Sequence, residues 1–189
     1  MSKMTHALDA LIVGAGPTGL TMACELRRYG LSCRIVDQAE APSGIPKAVA
    51  VQPRTLEVFD IMGLDEEFVA NGHQVHGFNL YADGQRLAHV AMDRMPTRYS
   101  YMLTLPQSET ERLLTKRLSD LGVAVERSVH FTGVAQQEDG IRATLRHADA
   151  TIETVQVRWL IGCDGAHSAV RKALGLPFEG ARYEESFLL

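Results

Sequence analysis

The sequence has few cysteines, few aromatic residues and no long uninterrupted apolar segment. Its 189 residues include three cysteines, and their odd number and the lack of a C-x-x-C spacing argue against a disulfide framework and a zinc site. Aromatic residues make up 6% of the chain, too few for a platform that stacks single-stranded nucleic acid. The net charge of −4 gives no electrostatic footprint for DNA or RNA. We therefore predict neither a metal site nor a nucleic-acid partner.

The apolar segment 7–20 resembles a signal sequence or a membrane span only at first sight. Three glycines and Pro17 interrupt it, and it is too short to cross a bilayer. Hydrophobic residues make up 46% of the chain and charged residues 22%, which is the balance of an ordinary globular domain. Together with cysteines that form no disulfide pattern, these features predict a cytoplasmic protein without membrane association.

The first forty residues predict a β-α-β unit. Residues 7–13 form a short apolar run typical of a buried parallel strand, residues 20–29 contain helix formers, and residues 32–36 predict a second strand. Gly30 stands where a glycine commonly ends a helix. The unit has the size of a parallel crossover connection.

A glycine-rich turn, G-A-G-P-T-G, joins the first strand to the helix. Gly14 permits the tight turn, Gly16 lets the backbone approach a pyrophosphate, and Gly19 lets the helix pack closely on the strand. Asp37 follows the second strand, 18 residues after Gly19, where a carboxylate accepts hydrogen bonds from an adenosine ribose. Such a carboxylate repels a 2′-phosphate, so the unit predicts a dinucleotide site that prefers FAD or NAD to NADP.

The remaining chain alternates predicted strands and helices. The predicted strands are 75–81, 86–92, 123–126, 129–137, 141–147, 151–157 and 159–163. The predicted helices are 55–62, 108–121 and 167–174, and residues 38–51 are predicted to be a loop. Ser108 and Glu111 have the spacing of a capping box at a helix start. Turn residues between the strands from 129 to 157 predict an antiparallel meander.

A second motif, G-C-D-G-A-H-S at residues 162–168, follows a predicted strand and opens a helix. Together with the glycine-rich unit, it resembles the single-component FAD-dependent aromatic hydroxylases, which are flavoprotein monooxygenases. The resemblance covers nearly the whole chain in the order of the family. Between the two motifs it includes the segment K-A-V-A-V-Q-P-R-T-L-E at residues 47–57 and the Pro106-Gln107 helix start.

The resemblance implies a set of FAD-binding residues and no assigned catalytic residue. Gln107 would reach the ribityl chain or the flavin ring, although a solvent-exposed helix start is the alternative. Lys47 stands where many members carry an arginine that touches phosphate, and an exposed loop charge is its alternative. Asp164 would meet the middle of the cofactor, with an ordinary turn as the alternative. The complete implied set is Gly14, Gly16, Pro17, Thr18, Gly19, Asp37, Lys47, Gln107, Asp164 and Gly165.

The implied fold class is α/β: a Rossmann-like FAD-binding fold with a parallel sheet plus an antiparallel β meander, and the start of a β-sheet substrate domain. Residues 1–74 and 106–180 would form the FAD-binding domain, and residues 75–105 would begin the substrate-domain sheet. Residues 181–189 would continue into the substrate domain of a chain that is the N-terminal portion of a larger enzyme. Tyr99, Tyr101 and Met102 are candidate pocket residues, with core packing as the alternative.

The implied function is hydroxylation of a phenolic or polyketide-like aromatic substrate with NAD(P)H and O2. Two other functions stay open: another FAD-dependent oxidoreductase, such as a reductase or dehydrogenase, and a non-catalytic FAD-binding module. A homo-oligomer is compatible with either enzyme.

Overall fold

The structure is a computed structural model that describes residues 8–42 and 49–180. The predictions for Lys47, for Ala7 and for residues 181–189 lie outside the described residues. The strands are β1 (Leu8–Val13), β2 (Cys33–Val36), β3 (Ala50–Val51), β4 (His73–Val75), β5 (Gly77–Ala82), β6 (Gln85–Ala91), β7 (Met102–Thr104), β8 (Val125–Glu126), β9 (His130–Gln137), β10 (Gly140–Arg146) and β11 (Ile152–Gly162). The helices are α1 (Pro17–Arg28), α2 (Pro53–Ile61), α3 (Asp65–Asn71), α4 (Gln107–Asp120) and α5 (Ala169–Ala173).

A six-stranded sheet with the order β8-β2-β1-β11-β10-β9 forms the centre of the fold. β1 pairs in parallel with β2 and with β11, and β2 pairs in parallel with β8. β9, β10 and β11 pair in antiparallel fashion. The predicted fold class, a Rossmann-like parallel sheet with an antiparallel meander, is therefore confirmed.

The last strand of the meander differs from its prediction. Segments 151–157 and 159–163 are not two strands, because β11 runs without interruption from Ile152 to Gly162. Its first part pairs with β10 and its second part with β1. Arg158 lies between the two predicted segments; its exposed side chain lies 3.4 Å from the Asp9 carboxylate, and the strand continues past it. β11 thereby joins the meander to the parallel half of the sheet.

Both faces of the central strand are buried, as expected for a parallel strand with helices or sheet on either side. Ala10 and Ile12 of β1 pack with α1 and α4 in one apolar core. Leu11 and Val13, which point to the opposite face, pack with residues of β9, β10 and β11 in a second core. The turn that follows β1 is therefore held between two packed layers.

The segment between β2 and α4 contains structure that the sequence analysis missed. β3 lies in the predicted loop 38–51 and pairs with β7, which also pairs with β4. α3 was not predicted because its seven residues contain too few apolar positions to show a helical period. One of them, Phe68, is fully buried. The predicted strand 75–81 is divided into β4 and β5, while the predicted hairpin is present as β5 and β6.

Two of the candidate pocket residues, Tyr99 and Tyr101, belong to the core. Tyr99 and Tyr101 are buried, and the Tyr99 hydroxyl donates a hydrogen bond to the buried carboxylate of Asp65 at 2.7 Å. Met102 is half-buried, and its sulfur accepts a hydrogen bond from Gln52. Within the described ranges, no helix is long and apolar enough to cross a membrane.

The predicted capping box at the start of α4 is wrong. The helix begins at Gln107 after Pro106, no side chain caps it, and Ser108 lies exposed in its first turn. Glu111 is instead buried, with 4% of its surface exposed, and accepts a hydrogen bond from the Gln107 side chain. The serine-to-glutamate spacing therefore predicted a helix correctly but placed its first residue too late.

Candidate functional site

The carboxyl ends of four strands meet at one edge of the six-stranded sheet. β1, β2, β8 and β11 all run in the same direction there, and the residues that follow them are Gly14, Asp37, Arg127 and Cys163. Backbone bonds hold these strand ends together, since Gly14 N–H donates to the Val36 carbonyl at 2.8 Å. Ligands of open α/β sheets bind in the crevice outside such strand ends.

A cavity of about 360 Å³ lies at this edge, and it brings together six of the ten predicted cofactor-binding residues. The six are Gly14, Gly16, Asp37, Gln107, Asp164 and Gly165. Pro17 and Thr18 line a neighbouring cavity of about 490 Å³ between α1, α2 and α4, and Gln107 lines both cavities. Gly19 is buried in α1, where it contacts the glycine-rich turn.

The three glycines of the turn meet different surroundings. Gly14 has φ +103°, and a Cβ there would overlap the carbonyl of Cys163. A Cβ on Gly19 would overlap the carbonyl oxygen of Gly14, so only glycine allows this approach of helix and turn. Gly16 has no atom within 4 Å of the Cβ position and lines the cavity. The first and last glycines thus close the turn, and the middle one leaves space for a ligand.

The N-terminus of α1 carries free hydrogen-bond donors next to this space. Pro17 occupies the first helical position, where its missing N–H costs nothing, and no described side chain caps the helix. Leu20 N–H bonds to the Gly16 carbonyl, so the N–H groups of Thr18 and Gly19 have no partner within the helix. Such a helix end, with its positive dipole, favours an anionic group such as a pyrophosphate.

Asp37 ties the glycine-rich turn to the end of β2. Its Oδ2 accepts a hydrogen bond from Ala15 N–H at 2.6 Å, and its Oδ1 accepts one from Ala39 N–H at 2.8 Å. The guanidinium of Arg127 lies 3.8 Å from Oδ2. Each carboxylate oxygen has a further lone pair, so Asp37 can position the turn and still accept a ribose hydroxyl.

Asp164 caps the helix that follows it. Its Oδ1 accepts from the Ser168 hydroxyl, and its Oδ2 accepts from Ala169 N–H, both at 2.6 Å. Ser168 in turn accepts from Arg171 N–H at 3.0 Å. The carboxylate therefore fixes the turn around Gly165, whose φ of +77° favours glycine. Burial, reinforced by the Asp164 carboxylate, raises the pKa of the neighbouring Cys163 thiol above its usual value.

Two charged residues of the cavity were missed by the sequence analysis. Arg127 follows β8, and it would have been found had segment 123–126 been recognised as a further parallel strand ending at the same sheet edge. Glu111 was assigned to a capping box, and only its burial and its contact with Gln107 show that it faces the cavity. Three described acidic residues, Asp37, Glu111 and Asp164, thus line the cavity together with Arg127.

The fold and the site define a dinucleotide-binding protein of the Rossmann-like class, because the glycine-rich turn, the helix N-terminus and the acidic residue all meet at one sheet edge. The family model described as "FAD binding domain" matches residues 7–188, and the chain belongs to this family.

Similar proteins carry names of oxygen-inserting enzymes. The 6-methylpretetramide 4-monooxygenase of Streptomyces rimosus is 42% identical over 174 residues, which cover 91% of this chain and 31% of that protein. Pentachlorophenol 4-monooxygenase of Sphingobium chlorophenolicum is 36% identical over 180 residues, which cover 94% of this chain and 34% of that protein. The structure of the anhydrotetracycline hydroxylase OxyS from Streptomyces rimosus superimposes with a TM-score of 0.84 at 37% identity, over 93% of this chain and 35% of that one. The chain spans about a third of the length of these relatives.

FAD is therefore the cofactor of this fold, and the described residues fit it. The open space in front of Gly16 admits a diphosphate against the uncapped N-terminus of α1. The Asp37 carboxylate in this cavity has oxygens that can accept hydrogen bonds from hydroxyl groups, and Gln107 lines both cavities.

Proposed function

We propose that this protein is part of an FAD-dependent monooxygenase that hydroxylates a phenolic or polyketide-like aromatic compound with NAD(P)H and O2. The observation that supports this proposal most strongly is the convergence of six predicted cofactor residues on one cavity in a chain of the FAD-binding family. The similar proteins named above are two monooxygenases and a hydroxylase, and their names specify pentachlorophenol, 6-methylpretetramide and anhydrotetracycline.

The residues of the chain would bind and orient the cofactor. The N–H groups at the start of α1, with Gly14 and Gly16, would hold the diphosphate, and Asp37 would accept the adenosine ribose hydroxyls. Asp164 would hold the Gly165 turn in place beside the middle of the cofactor. Bound FAD supplies the redox chemistry, taking electrons from NAD(P)H and delivering them to O2.

The proposed domain organisation follows from the same assignment. Residues 1–74 and 106–180 would belong to the FAD-binding domain, and the hairpin region 75–105 would begin a substrate-domain sheet. The separation of the β5–β6 hairpin from the six-stranded sheet supports this division. We also propose a cytoplasmic location, since Cys24, Cys33 and Cys163 are free thiols.

The decisive experiment combines cofactor loading with oxygen uptake. The complete enzyme of which this chain is proposed to be part is purified, reconstituted with FAD and mixed with NADH or NADPH and a panel of phenols and polycyclic phenols. The expected result is the visible absorption of bound flavin and O2 consumption that depends on substrate and yields a hydroxylated product. Reductant oxidation without oxygen insertion would point to another FAD oxidoreductase, and bound flavin without turnover would point to a binding module. Protein that stays colourless would overturn the cofactor assignment itself.

The Asp37→Ala variant tests the site within that experiment. Loss of a charge-assisted hydrogen bond worth roughly 1.5–3 kcal/mol should weaken FAD retention by about 10-fold or more. An unchanged FAD dissociation constant would remove Asp37 from the site. Asp149→Ala serves as the control, because Asp149 likewise accepts a backbone N–H in a turn, from Thr151, and does not line the described cofactor cavity.

A further inference from the structure

Glu111 is a buried carboxylate that faces the cofactor cavity. It lies in the second turn of α4, exposes 4% of its surface, and lines the cavity together with the glycine-rich turn. None of the ion pairs among residues 8–42 and 49–180 includes it. A buried charge that lacks a cation lowers stability, so packing alone does not account for a carboxylate here.

The carboxylate sets the orientation of the Gln107 amide. Gln107 Nε2 donates a hydrogen bond to Glu111 Oε1 at 2.8 Å, one helical turn away. An ionised carboxylate only accepts hydrogen bonds, so it selects the amide nitrogen over the amide oxygen as its partner. The Gln107 carbonyl oxygen is thereby turned away from Glu111 and left to accept a bond from another donor at the junction of the two cavities.

The second oxygen of Glu111 is also open to the cavity. No donor in the described part of the chain bonds to Oε2. No buried side-chain oxygen or nitrogen of the described residues is left without a partner, which agrees with an Oε2 that reaches the cavity lined by Glu111. Glu111 Oε2 and Gln107 Oε1 thus form a pair of acceptors on one face of α4.

Two acceptors of this kind match hydroxyl groups and not phosphates. A phosphate carries negative charge and would be repelled by the carboxylate, whereas a polyol donates a proton from each hydroxyl. The donors suited to phosphate lie elsewhere, at the start of α1. The cavity therefore separates a donor region for the diphosphate from an acceptor region for a hydroxylated chain.

We propose that Glu111 is a positioning residue for the ribityl chain of FAD: it orients Gln107 and, with it, accepts hydrogen bonds from the ribityl hydroxyls. The inference rests on FAD being the ligand of this cavity. It adds to the predicted set a residue whose contribution is specific to the polyol part of the cofactor and is absent for the adenosine part.

The experiment compares FAD with ADP, which shares the adenosine and diphosphate but lacks the ribityl chain. Dissociation constants of both ligands are measured for the wild-type protein and for Glu111→Gln, which keeps the shape and removes the charge. We expect Glu111→Gln to weaken FAD binding about 10-fold or more and to leave ADP binding within about 2-fold of wild type. The melting temperature of the cofactor-free variant should equal or exceed that of the wild type, because a buried charge is removed.

Two comparisons make the result specific. Glu109→Gln, on the same helix and paired with Arg112 instead of facing the cavity, should bind both ligands as the wild type does. Gln107→Ala should weaken FAD alone, and combining it with Glu111→Gln should add little further loss, because the two residues act as a unit.

The outcomes separate this inference from the cofactor assignment. Wild-type protein that binds neither FAD nor ADP overturns the assignment of the cavity. Wild-type protein that binds both, with Glu111→Gln weakening ADP as much as FAD or leaving FAD unchanged, overturns the inference alone. A lower melting temperature of cofactor-free Glu111→Gln with unaltered FAD affinity would show that the carboxylate serves the fold.

Discussion

At the scale of single residues, Gly14 and Gly16 stand two positions apart in one turn and are glycines for different reasons. Gly14 requires a positive φ and close contact with the Cys163 backbone. Gly16 has φ −77°, which any residue adopts, and open space where its Cβ would be. The first is therefore a requirement of the fold, and the second is a requirement of the ligand.

Gly16→Ala should fold normally and bind FAD poorly. The methyl group meets no protein atom, so the free energy of unfolding should change by less than about 0.5 kcal/mol. The same methyl group projects into the cavity, and the FAD dissociation constant should rise about 10-fold or more. Chemical denaturation of the cofactor-free protein and FAD titration measure the two effects.

Gly14→Ala provides the contrast. Its backbone strain and its overlap with Cys163 should lower the free energy of unfolding by about 2 kcal/mol or more. Equal stability of both variants, or wild-type FAD affinity in Gly16→Ala, would contradict the different roles assigned to the two glycines.

At the scale of elements, two serines lie near helix starts, and replacing each by alanine tests which one caps its helix. Ser168 precedes α5, accepts a hydrogen bond from Arg171 N–H and donates one to Asp164. Ser108 occupies the first turn of α4, exposed and without a capping bond. Ser168→Ala should lower the free energy of unfolding by about 1 kcal/mol, whereas Ser108→Ala should change it by less than about 0.5 kcal/mol. Denaturant titration of both variants checks this, and a larger loss from Ser108→Ala would restore the capping box that the sequence suggested.

At the same scale, an ionic network across the sheet predicts how the free energy of unfolding changes in acid. Arg34 on β2 donates to the carboxylates of Glu126 on β8 and Glu153 on β11, and His147 lies 2.9 Å from Glu153. The hydrogen bonds from Arg34, assisted by the bond from His147, hold the pKa of Glu153 at about 2, below the usual 4.5. A lowered pKa in the folded state stabilises the protein above pH 4.5, and this stabilisation is lost as the pH falls towards 2.

Glu153→Gln should flatten that pH dependence. Between pH 4.5 and 2 the unfolding free energy of the wild type should fall more steeply than that of the variant. The difference should be about 1 kcal/mol or less, because Glu153 is a third exposed and solvent screens the pair. Urea denaturation across this range measures it. Glu138 is exposed and outside the ion pairs of the described chain, so Glu138→Gln should show the same pH dependence as the wild type. Identical slopes for all three proteins would refute the role assigned to Glu153.

The elements that sequence reasoning found and those it missed differ in how local their signals are. The β1–α1–β2 unit was predictable because apolar runs, a glycine-rich turn and Gly30 all lie next to one another. β3 has two residues and exists through its pairing with β7, more than fifty positions away, which no local pattern reveals. The burial of Glu111 was not predictable for the same reason, since it depends on how α4 packs beside the glycine-rich turn.

At the scale of the whole molecule, the β5–β6 hairpin stands apart from the two other sheets. All residues of both strands except Gly77 are exposed. Phe78 pairs with Val90, and Leu80 pairs with Ala88, so the apolar side chains share one face. A two-stranded ribbon is marginally stable by itself in water, and a continuous exposed apolar face promotes association.

We therefore expect the 189-residue chain to associate through this hairpin as its concentration rises. Replacing Leu80 and Val90 together by threonine keeps strand propensity and removes the apolar contacts, so association should weaken, as measured by sedimentation and light scattering. Both side chains are exposed, and the free energy of unfolding should change by less than about 1 kcal/mol. Ile152→Thr is the control, because Ile152 is likewise an exposed aliphatic residue but lies on β11, outside the hairpin. Association that persists in the double variant, or that Ile152→Thr weakens to the same degree, would show that another surface brings the molecules together.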